Sequence, residues 1–336
     1  MRYWLILHPD VKRPIGGVKQ MHRLCECIAR SGRNCSLIQD SENFHPSWFT
    51  SNVSTISQSS WINLRDTGQL KPETDVLVAP ETFASIVFSY AGNLPIVLFN
   101  QNGSYTFGLP GSNQIFKPDS VIAAYKNPRI KQILCVSRYD FDLLVRGFGL
   151  GKERVSCIRN GLEGDIAFSM PNNPFRIAVM PRKNSRDLSI VKSLLSQQLW
   201  ASNWQLVEIS SKPHAEVLSI LQDCTVFLSF GHPEGFGLPV AEAMACGCAV
   251  VGYSGLGGRE LFHVASQFDT ALEVAYGDWV GFVHGLSHFN QQIADDLPGF
   301  AQRLSRTSRA IRQLYSHEKM YSSVFNALAR IEASCR

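Results

Sequence analysis

Residues 225–261 constrain the fold more than any other stretch, because they read in succession as a strand, a glycine-rich loop, a helix and a second strand. The apolar run 226–230 has the length and composition of a buried strand. A helix is predicted to begin near Leu238-Pro239, since the N–H that proline lacks would have no partner in a first helical turn. Gly247 is predicted to end this helix, ahead of the buried strand 249–252.

The loop of this segment is predicted to bind a ligand. Gly235 and Gly237 leave backbone N–H groups uncovered at a helix start, where unpaired donors and partial positive charge favour an anionic or hydroxyl-rich ligand. Glu234 precedes the loop and Glu242 follows it, so both carboxylates can face the carboxyl ends of the strands. The alternative is that Glu234 caps the helix and that Glu242 is a solvated helix residue.

The letters E-G-F-G-L-P-x-x-E-A-M-A-x-G, read from Glu234, resemble the donor-site motif of retaining GT-B glycosyltransferases of the GT4 family. Two glutamates separated by seven residues are the signature of that family. The resemblance implies that Glu234 holds sugar hydroxyls of the donor and that Glu242 holds its ribose. The donor-binding residues that it implies in this segment are Glu234, Gly235, Phe236, Gly237, Leu238 and Glu242.

Two cations, Arg182 and Lys183, follow the predicted strand 175–180. A guanidinium offers a planar fork to phosphate oxygens and an ammonium offers a point charge, whereas a solvated basic turn is the alternative. GT4 enzymes hold the donor diphosphate with an Arg and a Lys in this loop. The resemblance therefore implies that Arg182, Lys183 and Glu234 are the catalytic residues and that no metal is needed.

Two further segments are candidates in the first half of the chain. Gly16-Gly17 separates the predicted strand 3–7 from a helix, which by itself indicates a tight turn. The resemblance implies that this diglycine lies near the donor phosphates and the acceptor. Asn100, Gln101 and Asn102 end another predicted strand, either as an acceptor-contacting part of the site or as a plain polar loop. Many GT4 members place a histidine in this neighbourhood, and this chain has none there.

Alternating short apolar strands and helices predict an α/β fold with parallel sheets. With the resemblance, which is specific over about 130–263, we expect a GT-B fold: two Rossmann-like parallel-sheet domains that face a cleft. Residues 1–165 are expected to form the acceptor-side domain and 166–317 the nucleotide-sugar donor domain. Residues 318–336 are expected to form a helix that crosses back to the first domain. A strand over 120–124 and a loop over 41–60 are also predicted.

Composition excludes several classes of protein. Nine cysteines without a C-x-x-C pair or zinc-ligand spacing indicate reduced thiols rather than a metal or disulfide framework. No G-x-G-x-x-G follows the first predicted strand, which disfavours a nicotinamide dehydrogenase. No apolar run reaches the ~20 residues that span a bilayer, and the N-terminal apolar run is too short for a signal peptide. A cytoplasmic protein is therefore expected.

The net charge of +4 lies entirely in residues 1–170 and is too small to indicate nucleic-acid binding. Weak peripheral attraction to the inner face of a membrane and ordinary surface variation both explain it. The expected function is retaining transfer of a sugar from a nucleotide-diphosphate sugar to a saccharide or lipid-linked acceptor, in polysaccharide, lipopolysaccharide or glycolipid assembly, without a cofactor. A GT-B nucleotide-sugar epimerase and a non-catalytic sugar-nucleotide-binding protein are the alternatives.

Overall fold

The structure is a computed structural model that describes residues 1–7, 9–108, 116–162 and 166–335. The chain divides into two units. Unit 1 comprises Met1–Gly161 with Glu318–Arg336, and unit 2 comprises Leu162–His317. The predicted domain boundary at residue 165 falls on 163–165, which lie outside the described residues, whereas the observed division follows Gly161.

Unit 1 is built on a parallel sheet. Its strands are β1 (Arg2–Ile6), β2 (Asn34–Gln39), β3 (Ser54–Ser57), β4 (Asp75–Pro80), β5 (Ile96–Asn100), β6 (Ile130–Cys135) and β7 (Val155–Cys157). In the described part of the unit the strand order is β3-β2-β1-β4-β5-β6-β7, and every pairing is parallel. This is a doubly wound order whose direction reverses between β1 and β4, where sheets of this kind bind ligands.

Helices connect these strands. They are α1 (Gly16–Arg30), α2 (Gln58–Asp66), α3 (Val87–Ala91), α4 (Pro118–Lys126) and α5 (Arg138–Asp142). A π-helical turn at Leu143–Gly147 continues α5, and 3-10 turns cover Glu81–Phe83, Gly103–Tyr105 and Lys152–Arg154. Alternate residues of the central strands, such as Ile6, Leu77 and Leu98, are fully buried in one apolar cluster, which explains why these short runs form strands.

Unit 2 repeats the plan with a smaller sheet. Its strands are β8 (Arg176–Val179), β9 (Gln205–Glu208), β10 (Val226–Ser229), β11 (Ala249–Gly252) and β12 (Ala271–Glu273). Within the described residues they are ordered β12-β11-β10-β8-β9, again with parallel pairing throughout. The switch point of this sheet lies between β8 and β10, so the loops that follow these two strands are expected to border a ligand.

The helices of unit 2 are α6 (Ser185–Leu195), α7 (His214–Gln222), α8 (Leu238–Cys246), α9 (Arg259–Ser266) and α10 (Trp279–Leu314), with a 3-10 turn at Leu199–Asn203. Non-helical dihedral angles at Asp296 kink α10 two residues before Pro298, whose ring cannot fit a regular helix interior. Phe282 and Leu286 of α10 are fully buried with Val251 of β11 in the apolar core of the unit.

The last helix, α11 (His317–Ser334), packs with unit 1. Its buried residues recur at helical spacing and are Met320, Val324, Ala327, Leu328 and Ile331. Glu332 accepts hydrogen bonds from Arg33 Nη2 at 2.8 Å and from the Tyr3 hydroxyl at 3.3 Å. The Arg33 guanidinium lowers the pKa of this carboxyl, so the pair anchors α11 to the start of β2 as an ion pair.

The structure confirms one local prediction and corrects two others. The strand, glycine loop, helix and strand predicted over 225–261 are β10, the loop after it, α8 and β11. The strand predicted over 120–124 is wrong, because these residues lie in α4, which Pro118 begins in the first-turn position that suits proline. The loop predicted over 41–60 is also wrong, since β3 and the start of α2 lie within it. No helix in the described ranges is both long and apolar enough to span a bilayer.

Candidate functional site

Opposite charges meet at the switch point of unit 2, where the loop after β8 contacts the loop after β10. Lys183 Nζ lies 2.9 Å from Glu234 Oε1 and donates to the Pro233 carbonyl oxygen at 2.5 Å. Arg182 Nη2 lies 3.8 Å from the same Glu234 oxygen. The side chains of Lys183 and Glu234 are each 18% exposed, whereas that of Arg182 is 61% exposed. The predicted catalytic residues are therefore together, with one cation paired and the other open to solvent.

Asn184 holds these two loops together, and the sequence interpretation missed it. Its backbone is left-handed, with φ +51°, and its Nδ2 donates to the carbonyl oxygens of Phe230 at 2.8 Å and His232 at 3.0 Å. Asparagine tolerates this conformation better than most residues. The available signal was an asparagine directly after the cations and before a predicted helix. Asn184 therefore fixes where Arg182 and Lys183 lie.

The glycine loop presents backbone donors at the start of α8, as predicted. Gly237 precedes the helix with φ +87°, a conformation that favours glycine, and Pro239 occupies the first turn. No acceptor of α8 or of the rest of the described chain takes a hydrogen bond from the N–H groups of Gly235, Phe236, Gly237 and Leu238. These donors and the positive end of the helix dipole create a local preference for an anion.

A second glycine-rich loop, which follows β11, packs against the glycine loop that follows β10. Glu234 N–H donates to the Gly255 carbonyl oxygen at 2.8 Å, and Gly257 N–H donates to that of Glu234 at 3.1 Å. A Cβ atom at Gly257 would lie 1.9 Å from the Gly235 carbonyl oxygen, so only glycine fits there. These contacts with the loop after β11 hold the backbone of Glu234 in place.

Glu242 lies in α8 and contacts a histidine of the neighbouring helix. Its Oε1 is 2.9 Å from His214 Nε2, and the two side chains are 13% and 26% exposed, respectively. Glu242 is therefore not a solvated helix residue. Glu234 does not cap α8 either, because no side chain of the described residues makes a capping hydrogen bond there. Both glutamates of the predicted motif are held in place by a basic partner.

An aromatic group that was not predicted borders the charged cluster. The His232 ring stacks on that of Tyr276, with centroids 4.2 Å apart, and the Tyr276 hydroxyl donates to Asn184 Oδ1 at 3.3 Å. Burial lowers the pKa of His232, and the nearby Lys183 ammonium lowers it further. His232 is therefore neutral near pH 7 and adds no charge to the cluster.

In unit 1, the diglycine and one polar residue come together at the switch point of the sheet. Gly16 and Gly17 begin α1, and within the part of the chain that the structure describes no side chain caps this helix at Ile15. A Cβ atom at Gly17 would lie 3.4 Å from Gln101 Oε1, which follows β5. The structure therefore places Gln101 beside the helix start that was predicted to approach a ligand.

Asn100 and Asn102 are internal residues rather than surface groups of the predicted polar loop. Asn100 is fully buried, and its Oδ1 accepts from the Tyr125 hydroxyl at 2.7 Å and the Thr106 hydroxyl at 3.2 Å. Asn102 is 6% exposed, and its Oδ1 accepts from Ser104 N–H at 3.1 Å. Both side chains stabilise the loop, so Gln101 is the member of the trio that we retain as a candidate.

Glu81, which was not predicted as a site residue, binds the backbone of the loop that follows β5. Its two carboxylate oxygens accept from the N–H groups of Gln101 at 3.0 Å and Asn102 at 3.1 Å. Burial raises the pKa of Glu81 to about 7, although both N–H donors favour the ionised form. Since Glu81 lies directly after β4 and Gln101 after β5, neighbouring strand ends bring the two together.

Metal ligands were not predicted, and residues 1–7, 9–108, 116–162 and 166–335 contain no group of three His, Cys, Asp or Glu side chains arranged to hold an ion. Independence from metal stays a prediction, because nucleotides can bring a cation with them.

Comparison with known proteins gives one family match, over part of the chain. Residues 197–279, which include Glu234 and Glu242, match the family described as glycosyl transferases group 1. An alpha-1,6-glucosyltransferase of Actinobacillus pleuropneumoniae serotype 7 is 31% identical over 107 residues. These residues are 32% of this chain and span only 30% of that relative.

Solved structures match over nearly the whole chain at low identity. Sucrose-phosphate synthase from Thermosynechococcus elongatus has a TM-score of 0.72 at 15% identity. The match covers 99% of this chain and 100% of the synthase chain. Anabaena HepE in complex with UDP-glucose has a TM-score of 0.66 at 15% identity. This match covers 98% of this chain and 100% of the HepE chain. Such likenesses establish the fold. The chain therefore has the GT-B fold, and its residues 197–279 match the family of group 1 glycosyltransferases.

Proposed function

We propose that this protein is a retaining glycosyltransferase that moves a sugar from a nucleotide-diphosphate sugar to an acceptor hydroxyl. The observation that carries the proposal is the meeting of Arg182, Lys183 and Glu234 with the unpaired N–H groups at the start of α8. The cations and the helix N–H donors match the diphosphate of such a donor, and the carboxylate matches its sugar hydroxyls.

The departing nucleoside diphosphate is where negative charge develops during transfer. Arg182 is exposed and only loosely paired, so its guanidinium is available to phosphate oxygens. Lys183 and the N–H groups from Gly235 to Leu238 add fixed positive potential beside it. Preorganised donors of this kind stabilise a transition state without reorganising, which is the contribution that we assign to them. The chain itself then supplies the charge that a metal ion supplies in other transferases.

The two glutamates bind the neutral parts of the donor. Glu234 Oε1 contacts Lys183, and the carboxylate also accepts from the sugar hydroxyls of the donor. Glu242 lies further along α8 and accepts from the ribose. In unit 1, the helix start at Gly16-Gly17 and the Gln101 side chain are the groups that we assign to the donor phosphates and to the acceptor.

We propose a saccharide or lipid-linked acceptor in polysaccharide, lipopolysaccharide or glycolipid assembly, with the protein in the cytoplasm and weakly attracted to the inner face of the membrane. The excess positive charge in 1–170 supports that attraction. UDP-glucose is the first donor to test, because the matched relative is named as a glucosyltransferase and HepE holds UDP-glucose.

The test is a screen of UDP-, GDP- and ADP-sugars with and without glycoside acceptors. The proposal predicts acceptor-dependent release of the nucleoside diphosphate and a product whose anomeric configuration, read by NMR coupling constants, equals that of the donor. Glu234→Gln should abolish most turnover, whereas Glu208→Gln, which alters an exposed glutamate of the same unit paired with Lys192, should not. An isomerised sugar formed without acceptor would indicate the epimerase instead. Binding without turnover would indicate the non-catalytic alternative.

A further inference from the structure

Two helices of unit 2 begin side by side at the carboxyl edge of its sheet. His214 is the first residue of α7, and Glu242 lies in the second turn of α8. The helices pack together along their length, with Cys246 Sγ of α8 near the Leu218 carbonyl oxygen of α7 at 3.9 Å. This packing, rather than sequence proximity, brings His214 Nε2 to 2.9 Å from Glu242 Oε1.

The contact with His214 occupies one of the two carboxylate oxygens of Glu242. His214 engages Oε1, and Oε2 makes no hydrogen bond within the described residues. The Glu242 side chain is 13% exposed, so a ligand can reach the carboxylate although most of the side chain is packed. A carboxylate held by one oxygen keeps a single orientation, and its second oxygen is then aimed in a fixed direction.

We propose that His214 is a positioning residue of the donor site, which holds Glu242 so that its second oxygen receives the ribose hydroxyls of the nucleotide. The proposal rests on the proposed function, because it takes the ribose contact of Glu242 from it. His214 itself need not touch the nucleotide. Its role is to remove the rotational freedom that Glu242 would otherwise lose when the ribose binds.

Surrounding charges favour this arrangement. The start of α7, at His214, carries partial positive charge, which attracts the Glu242 carboxylate beside it. Glu216, the other carboxylate near the start of α7, is paired with Lys212 and does not compete for the imidazole. His214 is therefore available to donate to Glu242 through Nε2.

The experiment compares UDP with 2′,3′-dideoxy-UDP by calorimetry on the full chain. We expect His214→Ala to weaken UDP binding roughly tenfold, because an ordered side chain becomes mobile, and to leave the affinity for dideoxy-UDP unchanged. His214→Gln, whose amide can still donate to Glu242, should recover part of the loss. His263→Ala, an exposed histidine of α9, is the matched control and should change neither affinity.

Three results would overturn the inference. An equal loss for both nucleotides would mean that His214 stabilises the unit without serving the ribose contact. No loss for UDP would mean that Glu242 needs no partner. Failure of the unmodified protein to bind UDP, GDP or ADP would remove the proposed function, and the inference with it. Since that failure appears before any substitution is made, it is distinguishable from the first two.

Discussion

The ammonium of Lys183 lies 2.9 Å from Glu234 Oε1 and also donates to the Pro233 carbonyl oxygen, so one side chain joins the loop after β8 to the loop after β10. Arg182, its neighbour in sequence, is mostly exposed and lies 3.8 Å from the same Glu234 oxygen. Lys183 therefore contributes to the stability of the fold, whereas Arg182 contributes little. Substitutions of these two adjacent cations should have different effects on stability.

Arg182→Ala should reduce turnover about 100-fold, the usual cost of losing one preorganised donor to a developing negative charge. It should leave stability unchanged, because the guanidinium is 61% exposed and its contact with Glu234 is 3.8 Å long. Steady-state kinetics and a melting curve check both statements. Arg309→Ala, which removes an exposed arginine of α10, is the control. Wild-type turnover in Arg182→Ala would exclude this residue from the site.

Lys183→Met should reduce both turnover and stability. Methionine keeps most of the aliphatic length but leaves Glu234 and the Pro233 carbonyl oxygen without their donor, which costs about 1–3 kcal/mol of unfolding free energy. Urea denaturation measures this loss against the unmodified chain. A variant with lower activity but an unchanged urea midpoint would show that the Lys183–Glu234 contact contributes nothing to the fold.

Asn184 offers a test that separates backbone from side chain. Asn184→Gly keeps a residue that tolerates φ +51° but removes the hydrogen bonds to Phe230 and His232, at a cost of about 1–2 kcal/mol. Asn184→Ala should cost about 1 kcal/mol more, because alanine is strained in the left-handed region. Urea midpoints should therefore rank wild type above the glycine variant and the glycine variant above alanine. The reverse order of the two variants would contradict the proposed role.

Much of this site could be predicted from residues 225–261, because its pattern is local. Each part of the strand, glycine loop and helix is fixed by chemistry within a few residues, so Gly237 and Pro239 mark the helix start correctly. The contacts that complete the site are not local. His214 and Glu242, or Asn184 and Phe230, meet only because strands and helices pack in a particular order.

The errors in the fold have a related cause. Residues 120–124 form a short apolar run, whose composition suits a buried strand or one face of a helix equally well, and tertiary packing selected the helix α4. The strand β3 contains a single aliphatic residue, Ile56, in a Ser- and Thr-rich stretch at the sheet edge. An edge strand buries little, so its sequence carries little apolar signal.

Glu81 should make stability depend on pH. Its pKa rises from the ordinary 4.5 to about 7 on folding, so the folded protein binds the proton more tightly between those values. The contribution of Glu81 is thus fully present below pH 4.5 and is lost as pH rises through 7, over a range of about 3 kcal/mol. Glu81→Gln removes the titrating group, so its stability should vary less with pH. Urea midpoints from pH 4.5 to 7.5 measure the slope, and equal slopes would contradict the assignment.

The most direct test of the donor site is a crystal structure of the protein with UDP-glucose bound. We predict that the diphosphate lies within hydrogen-bonding distance of the Arg182 guanidinium and of N–H groups at the start of α8, with the glucose hydroxyls on Glu234. A diphosphate bound elsewhere, with Arg182 and Glu234 both free of the ligand, would contradict the account.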